Sequence, residues 1–303
     1  MKIKTAIVTG PTGAIGSALC SELLAQGVFV YAIVRPKSNR INNIPKSTNL
    51  KIIECELSNL QSLSNLEIKA DAFFHLGWDK TTVLGRDDVN SQLKNIDYTL
   101  SAVDLANSLG CSVFIGAGSQ AEYGVKDCAL NGNTPVNPQS AYGIAKYTAG
   151  KLANIKCSSL GLRFCWCRIL SVYGKNDGEN TLISYLINSF KQNIAPSLTK
   201  CEQVWDYIYS EDIASALIAV AKKGVNGRVY CLGSGNPRTL KEYVIAVRDI
   251  VNKNCEINFG KKDYYPHQPM YLVADITDLV TDTGWQPKYS FEEGISRLLC
   301  DNN

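Results

Sequence analysis

Residues 4–19 read KTAIVTGPTGAIGSAL, and this stretch decides the fold. An apolar run ending at Thr9 leads straight into Gly10, Gly13 and Gly16, spaced GxxGxxG. The residues that follow, GSALCSELLAQG, have helical character and stop at Gly27. The first glycine permits the tight turn, the second lets backbone N–H groups approach a pyrophosphate, and the third allows the helix to pack closely on the strand. The helix N-terminus adds partial positive charge. A lone glycine pattern is weak, but between a strand and a helix it reads as a dinucleotide loop. Gly10, Thr12, Gly13, Ala14, Ile15 and Gly16 are the expected cofactor contacts.

Outward from this loop the pattern repeats. FVYAIV, LKIIECEL, AFFHLG, SVFIGAG and FCWCRIL are apolar runs, many of them continuous, as strands buried on both faces of a parallel sheet are. Helical patterns around QLKNIDYTLSAVDLANSLG and SAYGIAKYTAGKLANIKC lie between them. The order predicts an α/β protein: a Rossmann-type doubly wound parallel sheet with a smaller α/β C-terminal substrate domain. Residues 1–174 form the expected nucleotide-binding domain, with 206–235 returning to it, and 175–205 and 236–303 form the cap.

Composition excludes several classes. Hydrophobic residues make up 45% and charged residues 19% of 303, an ordinary globular balance, and the net charge of +3 is not gathered into runs. Neither nucleic acid nor a membrane surface is an expected partner. Eleven cysteines are scattered, several inside apolar segments, and only two histidines, His75 and His267, accompany them, so no metal site is expected. The opening strand lacks a signal-peptide layout, and a reducing cytoplasm is the expected compartment.

A NAD-binding fold usually ends its second strand with an acid that holds the adenosine ribose. Here Val34 ends the strand and Arg35 follows, with Lys37, Ser38 and Arg40 beyond. A guanidinium suits a 2′-phosphate, so NADP(H) is the preferred cofactor and NAD(H) the alternative. A plain solvated basic loop also accounts for these charges.

Tyr142 and Lys146 stand one helical turn apart in PQSAYGIAK, and Ser119 ends the strand SVFIGAGS at the edge where such sheets bind ligands. The ammonium is expected to lower the phenol's pKa, and Ser119 to hydrogen-bond a substrate oxygen. YxxxK alone occurs often by chance; after the fifth strand of a dinucleotide fold, with a serine on that strand, it points to reversible oxidation of an alcohol.

With these motifs in place, the chain resembles the extended short-chain dehydrogenase/reductases, the NAD-dependent epimerase/dehydratase family that acts on nucleotide sugars. TGPTGAIG, AFFHLGW, the Asn95-led helix, GSQAEYG, YGIAK, RILSVYG, DYIYSEDIASA, YCLGSG and the closing GWQP…FEEG carry the likeness. The resemblance implies a catalytic triad of Ser119, Tyr142 and Lys146, a cofactor lined by Leu76 and Gly77, Glu56 and Leu57 near the adenine, and a supporting role for His75. It also implies a homodimer formed through two helices of each subunit.

Dehydratases of the family carry Asp–Glu after the active-site Ser/Thr, where this chain has Gln120 and Ala121, and neither does acid–base work. Epimerase–reductases that use a Cys–His pair are disfavoured, since Ala121 holds the Cys position. The expectation is therefore NADPH-dependent reduction of the C4 ketone of a 4-keto-(6-deoxy)hexose nucleotide sugar. The alternatives are 4-epimerisation with retained NAD, reduction of a non-nucleotide carbonyl, and a non-catalytic dinucleotide-sensing regulator. The expected substrate contacts are Trp78, Gln120, Glu122, Ser171, Trp205 and Arg238, with Lys261 and Lys262 as further cations. Many relatives have Arg where Trp205 stands and Asn where Ser171 stands.

Overall fold

The computed structural model describes residues 1–265 and 268–300, so His267 lies outside the described residues. Seven strands form the main sheet: β1 (Thr5–Thr9), β2 (Phe29–Val34), β3 (Leu50–Glu54), β4 (Ala72–His75), β5 (Val113–Ser119), β6 (Arg163–Ile169) and β10 (Val229–Leu232). Their spatial order is β10-β6-β5-β4-β1-β2-β3, and every neighbouring pair is parallel. The order reverses between β1 and β4, which opens a crevice at their carboxyl ends.

Helices cover both faces of the sheet. α1 (Ala14–Ala25) and α5 (Ser210–Lys223) bury Leu19, Leu23, Ile213 and Leu217 against one side, where Cys165 and Cys167 of β6 also lie. α2 (Val89–Ser108) and α3 (Ala141–Ser159) bury Ala102, Val103, Ala149 and Ala153 against the other. This two-sided cover is why the central strands are apolar without alternation. The edge strand β3 is the exception, with Lys51, Ile52 and Glu54 exposed.

The remaining elements surround the crevice from the other side. β7 (Ser171–Tyr173) pairs in parallel with β9 (Tyr207–Tyr209). β8 (Val204–Trp205) lies between β11 (Arg238–Thr239) and β12 (Tyr271–Leu272). α4 (Leu182–Lys191), α6 (Leu240–Val251) and α8 (Phe291–Cys300) pack Leu186, Phe190, Val244, Val247, Ile295 and Leu298 into a separate core with Tyr173 and Tyr243. The strands of this small sheet are two residues long, too short to leave an alternating pattern, and α7 (Thr277–Thr283) is likewise too short for a visible period. Among the described residues no helix is long and apolar enough to cross a membrane, and no group of three His, Cys, Asp or Glu side chains is placed to hold a metal.

Candidate active site

The glycine loop is shaped by close approach. Gly10 takes φ +68°, and a Cβ on Gly16 would stand 2.1 Å from the Gly10 carbonyl oxygen. Gly13 differs: the nearest atom to its would-be Cβ is 4.0 Å away, so this face of the loop is open. Gly13 is also the N-cap of α1, which has no side-chain cap and no acid in its first turn. The N–H groups of that turn are left for an anion, and the loop fits a dinucleotide pyrophosphate. Asn43 braces the loop by donating to the Thr12 carbonyl at 3.0 Å.

A cleft of about 500 Å³ runs from this loop along the carboxyl ends of β4, β5 and β6. Gly10, Gly13, Ala14, Ile15 and Gly16 form one wall, with Leu76 and Trp78 from beyond β4. Ser119, Gln120, Tyr142, Lys146 and Ser171 form the other. Thr81, Arg86, Asp177, Thr181 and Tyr207 also line it and were not among the expected residues. Loops at the carboxyl ends of strands are where such lining is found, so Arg86 was open to that reasoning.

Ser140 caps α3 by accepting from Gly143 N at 3.1 Å, which starts the helix just before Tyr142. The Tyr142 amide donates to the Arg86 carbonyl at 2.8 Å, tying α3 to the loop after β4. The Tyr142 phenol shares the cleft with the Ser119 side chain, which acts to lower its pKa. The Ser119 hydroxyl oxygen also accepts from Ala121 N at 3.2 Å. Lys146 Nζ donates to the Ala117 carbonyl at 2.7 Å and lies 3.7 Å from the centre of the Trp78 ring.

Tyr142 is among the buried residues that line the cleft. Burial raises its pKa, while the Ser119 side chain and the Arg86 charge pull the other way and Glu122 adds to the rise. Arg86 Cζ stands 5.1 Å from the centre of the Tyr142 ring. Lys146 is itself the more perturbed group: burial lowers its pKa to about 7, with Glu122 opposing.

His75 is a bracing residue. Its Nδ1 is 3.0 Å from Thr9 Oγ1 and its Nε2 3.3 Å from Thr99 Oγ1. Thr9 Oγ1 accepts from Gly77 N, and Thr99 donates to the Asn95 carbonyl. The consistent assignment has Thr9 donating to Nδ1 and Nε2–H donating to Thr99. Burial, then the Lys146 charge, lower the His75 pKa to about 3, so the ring is neutral.

Several expected site residues stand elsewhere. Glu122, expected to meet substrate, is fully buried behind Ser119 and bound by Arg168 and Trp166. Trp205 is set back from the cleft and donates to Ser171 Oγ at 2.7 Å. Arg238 is held by both oxygens of Glu292 and faces a second cavity of about 440 Å³ that contains none of Ser119, Tyr142 and Lys146. Lys262 lies over the Tyr185 ring, outside the cleft. Arg35 and Glu56 are exposed at the carboxyl ends of β2 and β3, and Leu57 packs close to Gly77.

Comparison with known proteins agrees with this architecture. The model of the NAD dependent epimerase/dehydratase family matches residues 6–233. CDP-abequose synthase of Salmonella typhimurium is 26% identical, over 97% of this chain and 96% of its own length. dTDP-4-dehydro-6-deoxyglucose reductase of Escherichia coli is 22% identical over 97% and 96%. The structure of UDP-N-acetylglucosamine 4-epimerase from Methanobrevibacter ruminantium, in complex with UDP-N-acetylmuramic acid, superposes with a TM-score of 0.89 at 25% identity, covering 99% of this chain and 98% of that one. With a glycine loop built for a nicotinamide dinucleotide and a match across three-quarters of its length, the chain belongs to the NAD dependent epimerase/dehydratase family.

Proposed function

We propose that this enzyme uses NADPH to reduce the C4 ketone of a 4-keto-6-deoxyhexose nucleotide sugar. The observation that carries the reading is a buried phenol that shares the cleft with Ser119, with no acid–base pair following Ser119. Gln120, the next side chain, is an amide, and Ala121 is a methyl group. Such a site moves one proton to or from one oxygen, and it lacks the second pair that dehydration needs.

NADPH bound across the glycine loop would supply the hydride. Tyr142 gives its proton to the ketone oxygen, and its raised pKa keeps that proton available at neutral pH. Ser119 donates a hydrogen bond to the same oxygen and polarises the carbonyl. Lys146, when charged, stabilises the phenolate left on Tyr142. Arg35, exposed just beyond β2, is the group we assign to the 2′-phosphate of NADPH. The relatives named as an abequose synthase and a 4-dehydro-6-deoxyglucose reductase support the same reading.

The division of labour we propose has residues 1–174 and 206–235 holding the cofactor, with 175–205 and 236–303 forming the sugar-nucleotide cap. Val89 and Leu93 of α2, with Ile144, Leu152 and Ile155 of α3, are exposed apolar residues on two helices that pack together, and we assign this surface to a second copy of the chain.

A 4-epimerase is the second reading, favoured by the likeness to the UDP-N-acetylglucosamine 4-epimerase structure. Cofactor demand separates the two. The purified enzyme is expected to turn over only with added NADPH, and Arg35→Ala is expected to weaken its NADPH preference over NADH by about tenfold or more. Conversion of UDP-galactose to UDP-glucose without any added nicotinamide would replace reduction by epimerisation.

A further inference from the structure

Behind Ser119 lies a buried charge that never reaches the cleft. Glu122 Oε1 accepts from Ser119 N at 2.8 Å and from Trp166 Nε1 at 2.9 Å, and Oε2 accepts from Arg168 Nε at 2.7 Å. Arg168 is also buried, with its guanidinium 4.6 Å from the centre of the Tyr123 ring. Its Nη1 has no hydrogen-bond partner among the described residues.

Three glycines make room for this arrangement. A Cβ on Gly116 would stand 2.3 Å from the Trp166 ring, one on Gly118 2.4 Å from Trp166 Nε1, and one on Gly150 2.7 Å from the indole. Gly116 and Gly118 belong to β5 and Gly150 to α3, so the indole lies in a slot between strand and helix. A buried ion pair with one guanidinium NH2 group unmet contributes little stability, because desolvation offsets the Coulombic attraction. What the arrangement does secure is position: the amide held by Glu122 is that of Ser119, whose side chain lines the cleft with Tyr142.

We propose that Glu122 is a positioning residue for the reaction, held by Arg168 and Trp166 so that the Ser119 backbone is fixed and a negative charge stands behind Lys146. This rests on the reading of Ser119, Tyr142 and Lys146 as the reacting groups. The polar groups around Lys146 come from every element packed on it. They are His75 of β4, which is neutral, the Ala117 carbonyl of β5, Glu122 after β5, Tyr142 of α3, Arg168 of β6 behind Glu122, and Arg86 across Tyr142. Glu122 is the charge that opposes the effect of burial on Lys146. Its removal therefore lets the ammonium lose its proton at lower pH, and turnover that needs the charged lysine fails earlier as pH rises.

The test is the pH profile of NADPH-dependent turnover for wild type and Glu122→Gln, with thermal unfolding and NADPH binding measured alongside. The high-pH limb of kcat/KM is expected to move about one pH unit toward acid, and kcat to fall about tenfold while NADPH affinity stays within about twofold. The double variant E122V/R168M replaces the pair by apolar volume, so it is expected to fold at least as stably and to show the same acid shift. A folded variant whose limb coincides with wild type overturns the proposal. So does failure of the double variant to fold, which would make the pair a scaffold element. Tyr142→Phe in the same assay separates the two readings. Surviving turnover in that variant removes the assignment of the reacting groups, whereas an inactive Tyr142→Phe beside an unshifted Glu122→Gln removes only the role of Glu122.

Discussion

Lys146 shows what the site costs in stability. The residue is 4% exposed, and burial brings its pKa from the ordinary 10.5 to about 7. A folded-state value below the unfolded one means that the native protein binds fewer protons across that window. The stabilisation present above pH 10.5 is therefore lost as pH falls toward 7. At neutral pH the penalty is on the order of a few kcal/mol. Lys146→Met is expected to raise unfolding free energy by roughly 1–3 kcal/mol in denaturant titrations while eliminating turnover. A less stable Lys146→Met would contradict this account of the buried charge. Tyr142 and Lys146 were visible in the sequence as a pair one helical turn apart, and the structure brings both to the cleft. Glu122 was misread because its burial is decided by Trp166 and Arg168, 44 and 46 positions away. No local pattern reports a contact of that separation.

At the scale of elements, α2 acts as a brace for the loop that follows β4. Asn95 accepts from Asp79 N at 2.8 Å and donates to the Asp79 carbonyl at 3.0 Å, and Gln92 takes the Trp78 indole N–H while donating to the Lys80 and Gly85 carbonyls. Both side chains are 1% exposed, so their hydrogen bonds are made without competition from water. Thr99 extends the brace to His75 and through it to Thr9 beside the glycine loop. The His75 pKa of about 3 lies below its ordinary 6.5. Stability is therefore fully present above pH 6.5 and falls as pH drops from there toward 3. Urea unfolding of wild type and His75→Asn between pH 7 and 4.5 is expected to converge by about 1.4 kcal/mol per pH unit below 6.5. Parallel curves would mean that the imidazole takes up its proton in the folded state. The helix itself was legible from its period. Its bracing role was not, since Asn and Gln inside a helix read as surface residues until their partners are known.

For the whole molecule, the parallel sheet places two loops at its switch point, and β7 and β9 line the cleft beside them with Ser171 and Tyr207. The sheet was legible because doubly covered strands are continuous apolar runs, and the glycine loop because only glycine fits at Gly10 and Gly16. The second, smaller core was legible only in outline. Its short strands have no period, and the partners of Trp205 and Arg238 lie at distant positions in the chain. At this scale the apolar faces of α2 and α3 predict a dimer. Sedimentation of wild type is expected at twice the monomer mass of 33.2 kDa, with Leu93→Glu/Ile144→Glu shifting it to monomer. A wild-type protein that sediments as a monomer at micromolar concentration would contradict the assignment of that face.

The central claim is tested most directly by following NADPH absorbance while the enzyme acts on dTDP- and CDP-linked 4-keto-6-deoxyglucose. The predicted result is steady oxidation of one NADPH per sugar reduced, lowered by roughly a hundred- to ten-thousandfold in Tyr142→Phe with NADPH binding intact. No oxidation with any 4-keto nucleotide sugar, or an undiminished rate in Tyr142→Phe, would contradict it.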